Sequence, residues 1–106
     1  MTLLEDHVDR FNEGVRTGDW SRMLELFAHD AELDFEGIPV GPFRGRDAIA
    51  EAYRMQPPDD EIVLLAQSDG VAVYAWARKP TVRGGELRVV EHDGQIRRLA
   101  VVYERD

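Results

Sequence analysis

Acidic side chains on one strand-like segment are the first candidates for chemistry in this sequence. Asp34 and Glu36 stand on either side of Phe35, and Arg44 and Arg46 follow after a loop. Carboxylates beside arginines can form an acid/base site, and they can equally form a cluster of surface ion pairs. We favour the surface cluster, in which each pair contributes little stability.

Metal and thiol chemistry find no support in the sequence. There are no cysteines, and the three histidines are predicted on the first helix (His7), at the end of the second helix (His29) and beside a hairpin turn (His92). Because no two of them stand at ligand spacing, we expect no bound metal. We interpret His29-Asp30 as a helix end with solvent contacts. A glycine-rich phosphate loop is also missing, so no cofactor is expected.

The acidic composition limits the partners. With 21 acidic and 13 basic residues, the formal charge is -8, which disfavours nucleic acid and anionic membranes as partners. The 106 residues suit a single domain, 1–106. The chain starts without a basic segment and a following apolar run, so we expect a soluble cytoplasmic protein.

Two amphipathic helices are predicted at the start of the chain. In the first, apolar residues share one face: Leu4, Val8, Phe11 and Val15. Thr2 and Glu5 have the spacing of a capping box, and Gly18 is a natural end. Asp19 can then cap a second helix. That helix extends to 28–30 and buries Trp20, Met23, Leu24 and Phe27.

An alternating strand, an irregular loop and a third helix follow. Over 31–36 the apolar residues alternate with acids, which predicts a half-buried strand with Phe35 facing inward. Glycines and prolines interrupt the chain at 37–45. The third helix starts after Gly45, carries Ile49 and Tyr53 on its apolar face, and ends before Pro57.

The rest of the chain is predicted to be a meander of antiparallel strands over 62–67, 71–79, 86–92 and 95–103. Asp69-Gly70 and Asp93-Gly94 suit tight primed hairpin turns. On the second of these strands, Tyr74, Trp76 and Arg78 share a face that either lines a pocket or packs on a second subunit. We favour the second reading, an outer face that forms a homodimer. The fold class is therefore α+β, with helices packed on a curved antiparallel sheet.

The order of elements resembles that of the nuclear-transport-factor-2-like (cystatin-like) superfamily, and most of all its SnoaL-like and ketosteroid-isomerase-like branch. The segments that carry the resemblance are GDW at 18–20, FAHDAEL at 27–33, FRGRDAI at 43–49 and DGQI at 93–96. The resemblance implies a cone in which a strongly curved antiparallel sheet packs on three N-terminal helices. It also implies a mostly apolar pocket and a homodimer formed by the outer face of the sheet.

The resemblance further implies where catalytic residues would stand. The helix-one tyrosine of a ketosteroid isomerase corresponds to Phe11, and its aspartate base corresponds to Phe35. Asp34 or Glu36 could replace that base only if the strand carried a bulge at Glu36-Gly37. The second acid corresponds to Glu86, and Tyr53 keeps the family's tyrosine. Tyr53, Asp34 and Glu86 are thus the candidate catalytic residues.

Three functions remain open at this stage, and with them whether the protein is an enzyme. The first is a small-molecule-binding protein without catalysis, whose apolar pocket is lined by Phe11, Phe27, Phe35, Tyr53, Leu99 and Val101. The second is a lyase, isomerase or cyclase that acts on hydrophobic ring substrates by acid/base chemistry. The third is a homodimeric interaction module whose pocket is filled by its own side chains. Fold alone does not choose among them.

Overall fold

Helices come first and most of the sheet follows in the part of the chain that the structure, a computed structural model, describes, residues 2–104. Helices and strands are numbered in chain order. The helices are α1 (Leu3–Thr17), α2 (Ser21–Leu24) and α3 (Arg46–Met55). The strands are β1 (Phe27–Glu36), β2 (Phe43–Arg44), β3 (Ile62–Ser68), β4 (Val71–Trp76), β5 (Arg83–His92) and β6 (Gln95–Tyr103). No helix in this range is long and apolar enough to cross a membrane.

The first helix forms as the sequence predicts. The Thr2 hydroxyl accepts a hydrogen bond from the Glu5 backbone N–H at 3.1 Å, and the Glu5 carboxylate accepts one from the Thr2 N–H at 2.8 Å. Gly18 ends the helix with a left-handed φ of 79°. On the buried face, Gly14 leaves room for the indole of Trp20, since a Cβ at Gly14 would stand 2.2 Å from that ring.

The second helix is much shorter than predicted, and the prediction of a helix extending to 28–30 is wrong. The helix is a single turn, and the chain enters β1 at Phe27. Strand β6 provides the physical reason. The Ile96 N–H donates to the Leu26 carbonyl at 2.7 Å, and Phe27 is in register with Ile96. His29 therefore lies exposed on a strand rather than at a helix end.

The sheet has the strand order β2-β1-β6-β5-β4-β3, and it stays open. Strands β3 to β6 form the predicted antiparallel meander. The sheet is mostly antiparallel, as predicted, and within residues 2–104 β1 and β6 form its parallel pair. At the β5–β6 turn, Asp93 and Gly94 both have positive φ, as a primed turn requires. At the β3–β4 turn only Gly70 does, so that turn is not of the primed type.

The register of β1 separates the acids from the core. We call the helix-covered face of the sheet the inner face and the opposite one the outer face. One inner row crosses the sheet through Ala72, Leu87, Val101 and Phe35. The next row, on the outer face, carries Val73, Glu86, Val102 and Glu36. Phe35 thus faces inward, as the alternation predicts.

The assignment of Tyr74, Trp76 and Arg78 to the outer face is wrong. Tyr74 alternates with the inner row and is fully buried, and Trp76 packs edge-on against it at 5.4 Å. Strand β4 ends at Trp76, because the Lys79 N–H bonds back to the Trp76 carbonyl and turns the chain. Arg78 therefore lies in that turn. The small residues of β4, Val73 and Ala75, occupy the outer face.

Candidate functional site

A cavity of about 450 Å³ lies between the helices and the inner face of the sheet. Its sheet wall is aromatic: Phe35 packs on Phe43 at 6.2 Å and on Tyr103 at 6.3 Å between ring centroids. Tyr103 in turn stacks on Trp76 at 6.2 Å. Alternation along β1, β4 and β6, together with the short strand β2, brings these rings together on the inner face. The wall therefore offers several flat apolar surfaces.

The opposite wall comes from α1 and α3. Phe11 and Tyr53 meet edge to face at 6.5 Å, and Trp20 supports Tyr53 from behind at 4.9 Å. Both helices contribute apolar faces at helical spacing, so the two rings point toward the sheet. Burial raises the pKa of the Tyr53 hydroxyl, which therefore stays protonated and can donate a hydrogen bond.

The cavity has a polar side at the segment between α3 and β3. The Arg78 guanidinium donates to the Asp59 carbonyl at 2.9 Å, and the Arg78 N–H donates to Asp60 at 3.3 Å. Arg78 and Asp59 are largely exposed, whereas Asp60 is mostly buried. These three residues line the cavity next to Gln56, so solvent reaches it from this side.

The predicted pocket residues divide into two groups. Phe11, Phe35, Tyr53 and Val101 line the cavity. Phe27 and Leu99 do not: both are fully buried in the core behind it. Leu99 is in register with Leu33, which is also fully buried, so this central row of the sheet packs beneath the helices.

The candidate catalytic carboxylates lie on the far side of the sheet. Asp34 accepts a hydrogen bond from Arg98 at 2.6 Å. Glu86 accepts from Arg83 at 3.0 Å and from Arg88 at 3.1 Å. Because the outer face is separated from the cavity by the sheet itself, neither carboxylate can act on a molecule inside it. Of the three candidates, only Tyr53 lines the cavity.

The predicted surface cluster has different partners from those expected. Arg44 pairs with Glu32 at 3.3 Å, and Arg46 donates to the Phe27 carbonyl at 3.1 Å. Asp34 pairs instead with Arg98 of β6, which lies 64 residues further along the chain. No group of three or more potential metal ligands occurs within 2–104.

His7 is the polar residue that sequence reasoning missed. It lines the cavity, is 2% exposed, and within the described chain neither ring nitrogen has a hydrogen-bond partner. Its ring lies 5.8 Å from Phe27 and 6.3 Å from Phe11. Burial lowers the pKa of the imidazole to about 4, although the charge of Asp6 acts in the opposite direction. The sequence feature that indicates its buried position is its spacing, three residues after Leu4 and four before Phe11.

Three helices on one face of an open, mostly antiparallel sheet define a protein of the nuclear-transport-factor-2-like class. The chain belongs to the SnoaL-like domain family, whose model matches residues 8–99. No curated protein sequence matches it.

Solved structures share this fold. An NTF2-like protein of unknown function from Cytophaga hutchinsonii has a TM-score of 0.68 at 13% identity, over 98% of this chain and 92% of that one. A protein provisionally called a ketosteroid isomerase, from Kribbella flavida, has a TM-score of 0.69 at 18% identity, over 98% and 76%. One provisionally called a polyketide cyclase, from Xanthomonas campestris, has 0.63 at 24%, over 96% and 87%. At these identities the likeness establishes the fold alone.

Proposed function

We propose that this protein binds a small apolar molecule with a flat ring system in the cavity. The observation that carries the proposal is the pair of facing aromatic walls, Phe35 with Tyr103 and Trp76 on the sheet and Phe11 with Tyr53 on the helices. Binding sites for small molecules are typically apolar clefts of 300–1,000 Å³ with a few polar groups. A cavity of about 450 Å³ lies within that range.

Binding without catalysis fits the arrangement better than either alternative. An acid/base enzyme of the ketosteroid-isomerase kind needs a carboxylate that is free to act on its substrate, and Asp34, Glu36 and Glu86 all belong to the outer face. Asp60 lines the cavity, but its two carboxylate oxygens accept hydrogen bonds from the backbone N–H groups of Glu61 and Arg78. An interaction module with a filled pocket would leave no cavity of this size. The names given to the structural neighbours keep an isomerase or cyclase activity as the second candidate.

The test is a thermal-shift screen with fused-ring compounds, followed by tryptophan fluorescence. A ligand that binds only the folded protein stabilises it by about 2.7 kcal/mol at one hundred times its Kd. For a domain of this size that corresponds to a rise in Tm of about 10 °C. Trp76 lines the cavity, so its emission should be quenched by the same compounds.

A matched pair of variants on α3 locates the binding site. Ala52 lines the cavity, and Ala50 is a half-buried alanine of the same helix that does not. Ala52→Phe places a ring in the cavity and should weaken binding at least tenfold, whereas Ala50→Phe should not. If no ring compound raises Tm, or if Ala52→Phe binds as well as the wild type, the proposal is refuted.

We also propose that two copies associate through the outer face of the sheet. This face carries an exposed valine on each of three strands: Val63 on β3, Val71 on β4 and Val90 on β5. The cross-strand rows that contain them continue into the charged residues of the same face. Arginines and carboxylates alternate there, so a second copy turned by a two-fold rotation can match opposite charges. A homodimer of this form leaves both cavities accessible.

Light scattering after size-exclusion chromatography measures this association. Val71→Lys puts a charge into the proposed contact and should produce a monomer. Val82→Lys makes the same change at an exposed valine in the β4–β5 connection and should leave the dimer intact. A monomeric wild type would refute the proposal.

A further inference from the structure

His7 has hydrogen-bonding capacity that the described protein does not use. A neutral imidazole carries one N–H donor and one bare nitrogen acceptor. Both His7 nitrogens are closed to solvent and without a partner among residues 2–104. Buried polar atoms in native proteins nearly always have a partner, so an exception of this kind needs an explanation.

The immediate surroundings of His7 offer no partner. The nearest rings are Phe11 on its own helix and Phe27 on β1, which present carbon to the imidazole. Asp6, the next residue on α1, acts on it only through its charge. His7 also lines the cavity. A molecule in the cavity is therefore the partner that the geometry leaves open.

We propose that His7 selects the occupant of the cavity, and that the occupant is a fused-ring compound that carries a neutral hydroxyl group, a phenol or a ring alcohol. This inference rests on the proposed binding function. A hydroxyl both donates and accepts, so it satisfies whichever imidazole nitrogen it meets. A carboxylate would be buried against a neutral imidazole and two phenyl rings, which penalise an unpaired charge.

Contact requires the imidazole to rotate toward the cavity, since solvent reaches neither of its nitrogens. Tyr53 is the rival partner, because its protonated hydroxyl borders the same cavity. The two residues lie on different helices, α1 and α3, and can be changed separately.

The experiment compares two probes of similar size, 2-naphthol and 2-methylnaphthalene, which differ by a hydroxyl in place of a methyl group. The measured quantity is the ratio of their dissociation constants. His7→Leu removes both nitrogens at similar side-chain volume and should lower the preference for 2-naphthol by roughly 3- to 10-fold, the value of one net hydrogen bond. His92→Gln, at an exposed histidine, should leave the ratio unchanged. Tyr53→Phe should lower it less than His7→Leu does.

Each possible result either supports or refutes the role of His7. An unchanged ratio in His7→Leu, or a loss of preference in Tyr53→Phe instead, overturns the role of His7 while the binding function stands. If neither probe binds the wild type, the binding function fails as well.

A second measurement does not depend on the folding of the His7→Leu variant. The imidazole ¹⁵N shifts of His7, read in a His29→Gln/His92→Gln background with one histidine, should move with 2-naphthol and not with 2-methylnaphthalene. Shifts that respond equally to both probes overturn the proposal.

Discussion

Replacing His7 by leucine should remove a large part of the acid sensitivity of this protein. The imidazole is neutral in the folded protein because burial lowers its pKa from 6.5 to about 4. In the unfolded chain the same side chain returns to its ordinary pKa. Between these two values the unfolded chain binds a proton that the folded protein does not, so folding becomes less favourable as the pH falls.

The magnitude follows from the gap between the two pKa values. Above pH 6.5 both states carry a neutral imidazole, and the free energy of unfolding does not depend on this group. Below it, stability declines by up to about 1.4 kcal/mol per pH unit until the folded protein is protonated too, near pH 4. The full loss is about 3 kcal/mol. A small domain has only 5–15 kcal/mol in total.

The assay is urea unfolding followed by circular dichroism at several pH values from 7 to 4, at one ionic strength and one protein concentration. The surface carboxylates titrate alike in all variants, so the difference between His7→Leu and wild type isolates the imidazole. At pH 7 the variant should be at least as stable, because it also removes unpaired buried nitrogens. Its advantage should then grow by about 3 kcal/mol toward pH 4.

His92→Gln is the control, since His92 is exposed and its removal should leave the wild-type pH profile in place. Parallel profiles for wild type and His7→Leu across this range would refute the reasoning. They would mean that the imidazole is solvated or paired in the folded protein.

Three further substitutions test a surface ion pair, the packing of Trp20 on α1, and the buried core. Asp34→Asn breaks the pair with Arg98 and should cost less than about 1 kcal/mol in urea unfolding, with ligand affinity unchanged. Gly14→Ala forces a methyl group against the Trp20 ring and should cost about 1–3 kcal/mol, measured the same way. Leu99→Ala empties part of the fully buried core and should cost about 2–5 kcal/mol, while Kd for a ring ligand changes less than twofold.

Opposite results would be informative for each site. A large drop in affinity in Asp34→Asn would place that carboxylate in contact with the ligand. Unchanged stability in Gly14→Ala would show that Trp20 does not pack on α1 as described. A strong affinity loss in Leu99→Ala, at a site that does not line the cavity, would mean that the binding site lies elsewhere.

The local sequence pattern predicted the structure correctly where the conformation of an element depends on its own residues. Helices α1 and α3 follow from apolar residues at helical spacing, and Thr2 and Gly18 mark the ends of α1 because capping involves only neighbouring backbone. The inward position of Phe35 follows from alternation with charged residues. In each case the signal and the structure it specifies lie within a few residues of each other.

The local sequence pattern did not predict the structure where the conformation depends on a strand that is distant in the chain. Phe27 begins a strand because it pairs with Ile96 of β6, and no property of its own sequence neighbourhood shows that. On β4 both faces are apolar, so alternation could not show that Tyr74 points inward while Val73 points outward. His7 was overlooked because a histidine within an apolar stripe is also compatible with a ring that reaches solvent at the edge.

The parallel pairing of β1 with β6 also governs how the sheet is assembled. Strand β6 is the last of the six to be synthesised, yet it occupies the middle of the sheet, between β1 and β5. Until it emerges, β1 has no neighbour on that edge, and no strand joins β3, β4 and β5 to β1 and β2. Assembly therefore depends on contacts of long sequence separation, which slow folding. A chain interrupted before residue 95 would be two unjoined fragments of a sheet.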